Sequence, residues 1–160
     1  MNRKSLYISA ILLAVIVLIF LYICPKKEYL VLRDGDNGKL IARYEVEENE
    51  EFAVSFIHSV NKSIVKESYE IKQKNIYLTK CLYRAFGAGV ATQVEPPQTL
   101  EYLSDGSMLI SGFDRKIEDL SYIVATVSDH ILYINDEEIS LGELCGKNRT
   151  VRFEIEERLY

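Results

Sequence analysis

From Leu6 to Cys24 the chain runs for 19 residues without a charge, rich in Ile, Leu and Val; beyond Pro25 apolar and polar positions alternate. The first pattern predicts an α-helix rising about 28 Å, close to the hydrocarbon thickness of a bilayer. The second has the period of strands that bury one face. Tyr29 to Arg33 and Leu40 to Val46 flank Asp34-Gly35-Asp36-Asn37-Gly38-Lys39, whose Gly and Asn residues suit a hairpin loop. Phe52 to Val60 and Val65 to Lys72 form the next pair. Ile76 to Phe86, Leu100 to Leu103, Met108 to Phe113, Tyr122 to Val127, His130 to Ile134, Glu138 to Leu141 and Thr150 to Glu156 follow. Asp105-Gly106 and Asn135-Asp136 read as tight turns, Asp114 to Leu120 as one helical turn, and Glu95-Pro96-Pro97 as an extended connection.

Seven or more short strands and no helical stretch of ten residues beyond the first predict an all-β domain, an antiparallel sandwich or barrel, preceded by one transmembrane helix. The expected division is residues 1–27 as signal anchor with flanks and 28–160 as a single β domain. A cleavable signal would carry small residues before the cut, and Phe20-Leu21-Tyr22-Ile23-Cys24 offers none. Ile23 is too bulky for Cys24 to begin a lipoprotein.

Charge changes the picture in two ways. Arg3 and Lys4 before the run equal Lys26 and Lys27 after it, so the short N-terminal tail decides orientation, and the long C-terminal part is expected outside the cytoplasm, tied to the cell membrane by a single pass. All 24 acids lie from Glu28 onward against 15 Lys and Arg, giving that part a net charge of −9. Such a surface repels phosphate backbones, and no Lys/Arg stripe with interleaved aromatics counters it, which excludes nucleic acid as a partner. The expected partner of residues 6–24 is the lipid bilayer.

Candidate chemistry centres on Phe52 to Ile71. Phe52, Val54, Phe56, His58 and Val60 share one face, as do Val65, Glu67, Tyr69 and Ile71. A two-residue loop at Lys62-Ser63 would pair Val60 with Val65, His58 with Glu67, Phe56 with Tyr69 and Val54 with Ile71. His58 and Glu67 would then satisfy each other in a core, or the carboxylate would orient the imidazole for acid/base work. Ser59 follows His58 but points to the opposite face, so a Ser-His dyad is not expected. Asp129-His130 has the same geometry, and His130 is expected at a turn.

With two histidines and cysteines isolated at 24, 81 and 145 there is no zinc pattern, and no cofactor is implied. Cys81 and Cys145 could pair outside the cytoplasm. The resemblance of Asp34 to Gly38 to a calcium loop fails at Lys39, where glycine is needed. Phe86-Gly87-Ala88-Gly89 is a glycine-rich turn whose amides could cradle an anion, without the Lys and Ser/Thr of a phosphate loop. Asn61-Lys62-Ser63 and Asn148-Arg149-Thr150 match glycosylation sequons by composition alone.

His58-Ser59-Val60-Asn61-Lys62-Ser63, Val65-Lys66-Glu67, Tyr69, Tyr83 and Phe86-Gly87-Ala88-Gly89, with Leu30 to Asp34, Gly38-Lys39, Asp114-Arg115 and Leu120, resemble the bacterial family called domain of unknown function 1850, over most of Tyr29 to Leu144. Ile64 and Ala91 stand where that family is expected to carry proline. The resemblance implies a membrane-anchored, non-enzymatic accessory or binding domain. Its partner would be a permease of the tripartite ATP-independent periplasmic (TRAP) type or the TAXI solute receptor of one branch. Alternatively, a small extracytoplasmic hydrolase or ligand-binding enzyme would use His58 and Glu67, with Lys62 and Arg115 receiving an anionic substrate.

Overall fold

In the computed structural model, residues 3–23, 26–59, 62–84 and 94–159 are described. Helix α1 spans Arg3–Ile23. Its described side chains, at position 7 and at 9–19, are all exposed. Among the described residues no helix is long and apolar enough to cross a membrane.

Eleven strands follow: β1 Lys26–Asp34, β2 Leu40–Val46, β3 Glu51–Ile57, β4 Ile64–Lys72, β5 Asn75–Tyr83, β6 Thr99–Tyr102, β7 Met108–Ile117, β8 Ser121–Ile123, β9 Ile131–Ile134, β10 Glu137–Ser140 and β11 Thr150–Leu159, with a short helix, α2, at Leu141–Cys145. They form two antiparallel sheets, one of four strands in the order β2-β1-β11-β8 and one of seven in the order β10-β9-β3-β4-β5-β7-β6. Leu30, Leu32, Val151 and Phe153 of the first meet Phe52, Val54, Ile71 and Leu132 of the second in one buried cluster, so the domain is a sandwich.

The sandwich has two distinct ends. β1 begins at Lys26, level with Leu159, and the turn Glu47 to Glu50 passes from β2 to β3 beside it. This is the near end. At the far end β1 finishes at Asp34, β3 runs out at Ile57, and Gly35 donates to the Thr150 carbonyl at 2.8 Å.

Turn chemistry explains most of the connections. Asp34 Oδ1 accepts the amides of Asp36 and Asn37 at 2.9 and 3.2 Å, closing the first hairpin. Asn135 and Asp136 both take positive φ, as a two-residue hairpin loop requires. Gln73 and Lys74 do the same between β4 and β5, at φ of 50° and 61°, although neither residue type favours that conformation.

Four local expectations are corrected. Asp114 to Ile117 continues β7 as strand, because Gly112, at φ 81°, makes an irregularity after which Arg115 pairs with Leu78. Ser140 caps α2 by accepting from the Glu143 amide at 2.9 Å, a helix the strand pattern had absorbed. Glu95 to Gln98 is a turn, closed by a 2.9 Å bond from the Gln98 amide to the Glu95 carbonyl.

The fourth concerns the β3–β4 register. Val54 pairs with Glu67, Phe56 with Val65 and Phe52 with Tyr69, four residues from the expected alignment. His58 instead closes the loop, its amide donating to the Ser63 carbonyl at 2.8 Å and its carbonyl accepting from Lys62 at 2.9 Å. A shift by an even number leaves the inward faces as expected but separates His58 from Glu67.

Candidate functional site

Glu67 stands on the inner face of the seven-stranded sheet, with Val54 opposite it on one side and Cys81 on the other. A carboxylate there needs donors. Tyr122, on β8 of the facing sheet, donates its hydroxyl to Glu67 Oε2 at 2.5 Å, and Tyr69, two residues along β4, donates to the same oxygen at 3.0 Å. The two hydroxyls are themselves 2.6 Å apart. Three oxygens from two sheets thus form one closed triangle.

Aromatic rings wall this triangle. Phe52 stacks on Tyr69 at 5.2 Å and on Phe153 at 6.1 Å between centroids. Tyr122 meets Phe153 edge-on at 5.9 Å and lies 5.9 Å from Phe56 and 5.7 Å from His130. His130 stacks on Phe56 at 5.4 Å, is 7% exposed, and accepts the Ala125 amide at Nδ1 over 3.5 Å. Such contacts add about 0.5–1.5 kcal/mol per pair beyond area burial.

This environment sets the protonation states. Burial first, and then Glu67, push the Tyr69 phenol above its ordinary range, partly opposed by the hydrogen bond from Tyr122; burial, Tyr69 and Glu67 raise Tyr122. Burial and Glu67 push the Cys81 thiol up to about 11, and burial and Cys81 push Tyr83 up to about 12. All four remain protonated at neutral pH. Burial lowers the pKa of His130, partly opposed by Asp129. Burial alone would raise Asp129, but the Ser140 hydroxyl and the amides of Gly142 and His130 outweigh it and hold the carboxyl low. Asp129 fastens the β9–α2 corner, accepting from Gly142 at 2.9 Å, His130 at 2.8 Å and the Ser140 hydroxyl.

Of the candidates read from the sequence, Glu67 and Tyr69 come together. Arg115 is exposed on β7, and its charge works against the rise at Cys81 and Tyr83. His58, Ser59 and Lys62 sit on the far-end loop; Ser59 and Lys62 are exposed and Lys62 adopts φ 52°. Phe86, Gly87 and Gly89 lie outside the described residues. Cys81 and Cys145 are both free thiols. Among the described residues no group of three or more His, Cys, Asp or Glu side chains is placed to hold a metal.

The sequence reading missed Tyr122 and the burial of His130. Leu120, Tyr122 and Val124 alternate toward the core, with Leu120 6% and Val124 0% exposed, so a polar-tipped ring between two buried aliphatics was the available signal.

Elsewhere, a recess of about 540 Å³ on the outer face is lined by Lys66, Ser68, Ala53, Tyr133, Glu51 and Glu138, among others. Lys66 Nζ already occupies the Tyr133 ring face there, 3.5 Å from the centroid.

Fold and site together define a two-sheet antiparallel β domain whose sheets are linked by a tyrosine-bound carboxylate. The chain belongs to the family described as Domain of unknown function (DUF1850), whose model matches residues 52–141. No curated protein and no solved structure matches the chain. The matched segment supplies all seven strands of the larger sheet together with β8, and leaves out β1, β2 and β11.

Proposed function

We propose that this protein is a membrane-anchored, non-enzymatic accessory or binding domain that assists a TRAP-type solute transporter by engaging the permease or its TAXI receptor outside the cytoplasm. The observation that carries the non-enzymatic reading is the state of Glu67. One carboxylate oxygen takes both tyrosine hydroxyls, and both tyrosines are held protonated. The His58 partner that acid/base work would use pairs elsewhere along the chain. Groups engaged in this way brace the two sheets against each other.

The anchor is supported by the apolar run from Leu6 to Cys24 and by the exposure of α1, where Leu13 and Leu18 are 64% and 65% open. Apolar side chains in that number gain by transfer into lipid. Carbonate extraction and protease protection of the full chain test the anchor and its sidedness: retention in the membrane with cleavage only from the extracytoplasmic side is expected. For the role, His58→Gln and Glu67→Gln are compared in solute-uptake and co-purification assays. Glu67→Gln is expected to lower thermal stability. Loss of uptake in a folded variant that still binds its partner would overturn the non-enzymatic reading.

A further inference from the structure

On the outer face of the seven-stranded sheet, Glu138, Tyr133, Ala53, Ser68 and Lys80 stand in one cross-strand row. Tyr133 and Lys80 are three strand spacings apart, about 14 Å, and the two residues between them are small. The row therefore sinks into a trough, the recess of about 540 Å³. Ser55, itself 7% exposed, donates its hydroxyl to that of Tyr133 at 3.3 Å and helps to fix the ring. Lys66, one row away and opposite Ser55, places Nζ 3.5 Å from the centroid of the same ring. Among the described residues Lys66 forms no ion pair, so its ammonium is held by the ring and not by a carboxylate.

Glu50, Glu51, Asp136, Glu137 and Glu138 line the recess as well. Glu51 is paired with Lys80 at 2.8 Å, and Glu70, level with Glu51, with Lys72 at 3.0 Å. Glu50 accepts the Glu47 amide at 2.8 Å and keeps its charge. Asp136, Glu137 and Glu138 have no cationic partner among the described residues, so even with Lys66 and Lys80 counted the recess stays negative and repels anions. The acids are too dispersed for a metal ion, since no group of three is placed to hold one among the described residues. Carboxylates alone would be a solvated surface. What sets this recess apart is an aromatic ring that already receives a cation.

We propose that this recess binds a guanidinium group, which replaces the Lys66 ammonium on the Tyr133 ring. A guanidinium is planar and weakly hydrated, stacks on an aromatic face more readily than an ammonium, and forms a two-pronged pair with a carboxylate. Glu138 is the carboxylate for that pair: it stands directly cross-strand from Tyr133, with about 5 Å between the two Cβ atoms. Lys66 and the guanidinium compete for one ring, so binding is an exchange of cations. The group is the same whether it is carried by a free solute or by an arginine side chain of a partner protein. The site stands on the outer face of the sheet alone and does not depend on the anchor or the transporter role.

The probe is acetyl-arginine amide, titrated at constant ionic strength into the full chain in a zwitterionic detergent and followed by NMR of the lysine side chains. The Lys66 ε-methylene, shielded by the Tyr133 ring, is assigned by its loss in Lys66→Met. Its signal is expected to move saturably toward that of exposed lysines as the probe takes the ring, and sodium chloride in place of the probe to leave it unmoved. Lys66→Met removes the competitor and should tighten binding about threefold, read from the Tyr133 ring signals. Tyr133→Leu should weaken binding about fivefold. Glu138→Gln, on an exposed side chain, should weaken it about threefold and reads the same site should Tyr133→Leu not fold. Tighter binding of the amide than of free arginine assigns the site to a side chain on a partner protein, and equal or tighter binding of free arginine to a solute; either supports the site. An unmoved Lys66 signal, an equal response to sodium chloride, weaker binding by Lys66→Met, or full affinity in folded Tyr133→Leu or Glu138→Gln would each overturn the proposal.

Discussion

Replacing Tyr122 with Phe deletes one oxygen and keeps the ring that packs on Phe56, Phe153 and His130. The loss is therefore a hydrogen bond to a partly buried carboxylate, worth about 1.5–3 kcal/mol. At about 3–5 °C per kcal/mol for a domain of this size, the midpoint should fall by roughly 8 °C. Tyr69→Phe removes the longer bond to the same oxygen and should cost less. The informative variant is the double one. After either single change the remaining hydroxyl still donates to Oε2; after both, the carboxylate is left facing aliphatic and aromatic neighbours. The double variant should therefore cost at least ~1 kcal/mol more than the singles combined, read from urea unfolding of the full chain in mild detergent. Additivity within about 0.5 kcal/mol, or a single-variant cost under ~0.5 kcal/mol, would refute the shared-oxygen account.

Because burial raises the phenols of Tyr69 and Tyr122 above their unfolded value, their contribution is intact below about pH 10 and is lost as pH rises beyond it, where the unfolded chain binds fewer protons. Each Tyr→Phe change should remove about one proton, or ~1.4 kcal/mol per pH unit, from the slope of stability above pH 10, measured by denaturant titrations at stepped pH. His130 is shifted the other way, so its contribution is present above about pH 6.5 and lost on acidification, and His130→Phe should flatten the acid limb of the same titration. Replacing Gln73-Lys74 by Asn-Gly should stabilise by about 1 kcal/mol, since both positions hold positive φ; destabilisation in thermal unfolding would count against that conformation. In Tyr122→Phe, amide exchange of Ser121 to Val124 should accelerate more than that of Leu30 to Leu32.

The alternation of apolar residues located all eleven strands because each buries one face, a signal contained within the strand itself. What escaped depended on neighbours. Gln73-Lys74 carries no Gly or Asn, and the turn is instead held by the flanking pairs Ile71–Ile76 and Lys72–Asn75 and by Glu48, whose carboxylate takes the Gln73 amide at 3.0 Å. Ser140-Leu141-Gly142-Glu143 has the spacing of a capping box, yet the strand alternation ending at Leu141 overrode it. The β3–β4 register misled because the expected alignment matches apolar with apolar and joins His58 to Glu67, whereas the observed one sets Glu67 opposite Val54. Phe52 stacked on Tyr69 and the reach of Tyr122 from the other sheet select between them, and neither is visible in the two strands alone.

The same reasoning explains why Glu67 was legible and its partner was not. An acid at an inward position announces that a donor must exist, and the nearest histidine in the chain was the obvious choice. The donor comes from 55 residues away, on the one strand of the family-matched segment that crosses to the opposite sheet. β8 is three residues long and, among the described residues, pairs with β11 alone, so its ladder gives it little hold. The bond from Tyr122 to Glu67 fastens it to the larger sheet from within. Seen this way, the carboxylate need not be a reagent. Its place in the core follows from the need to join two sheets where one of them is barely a strand.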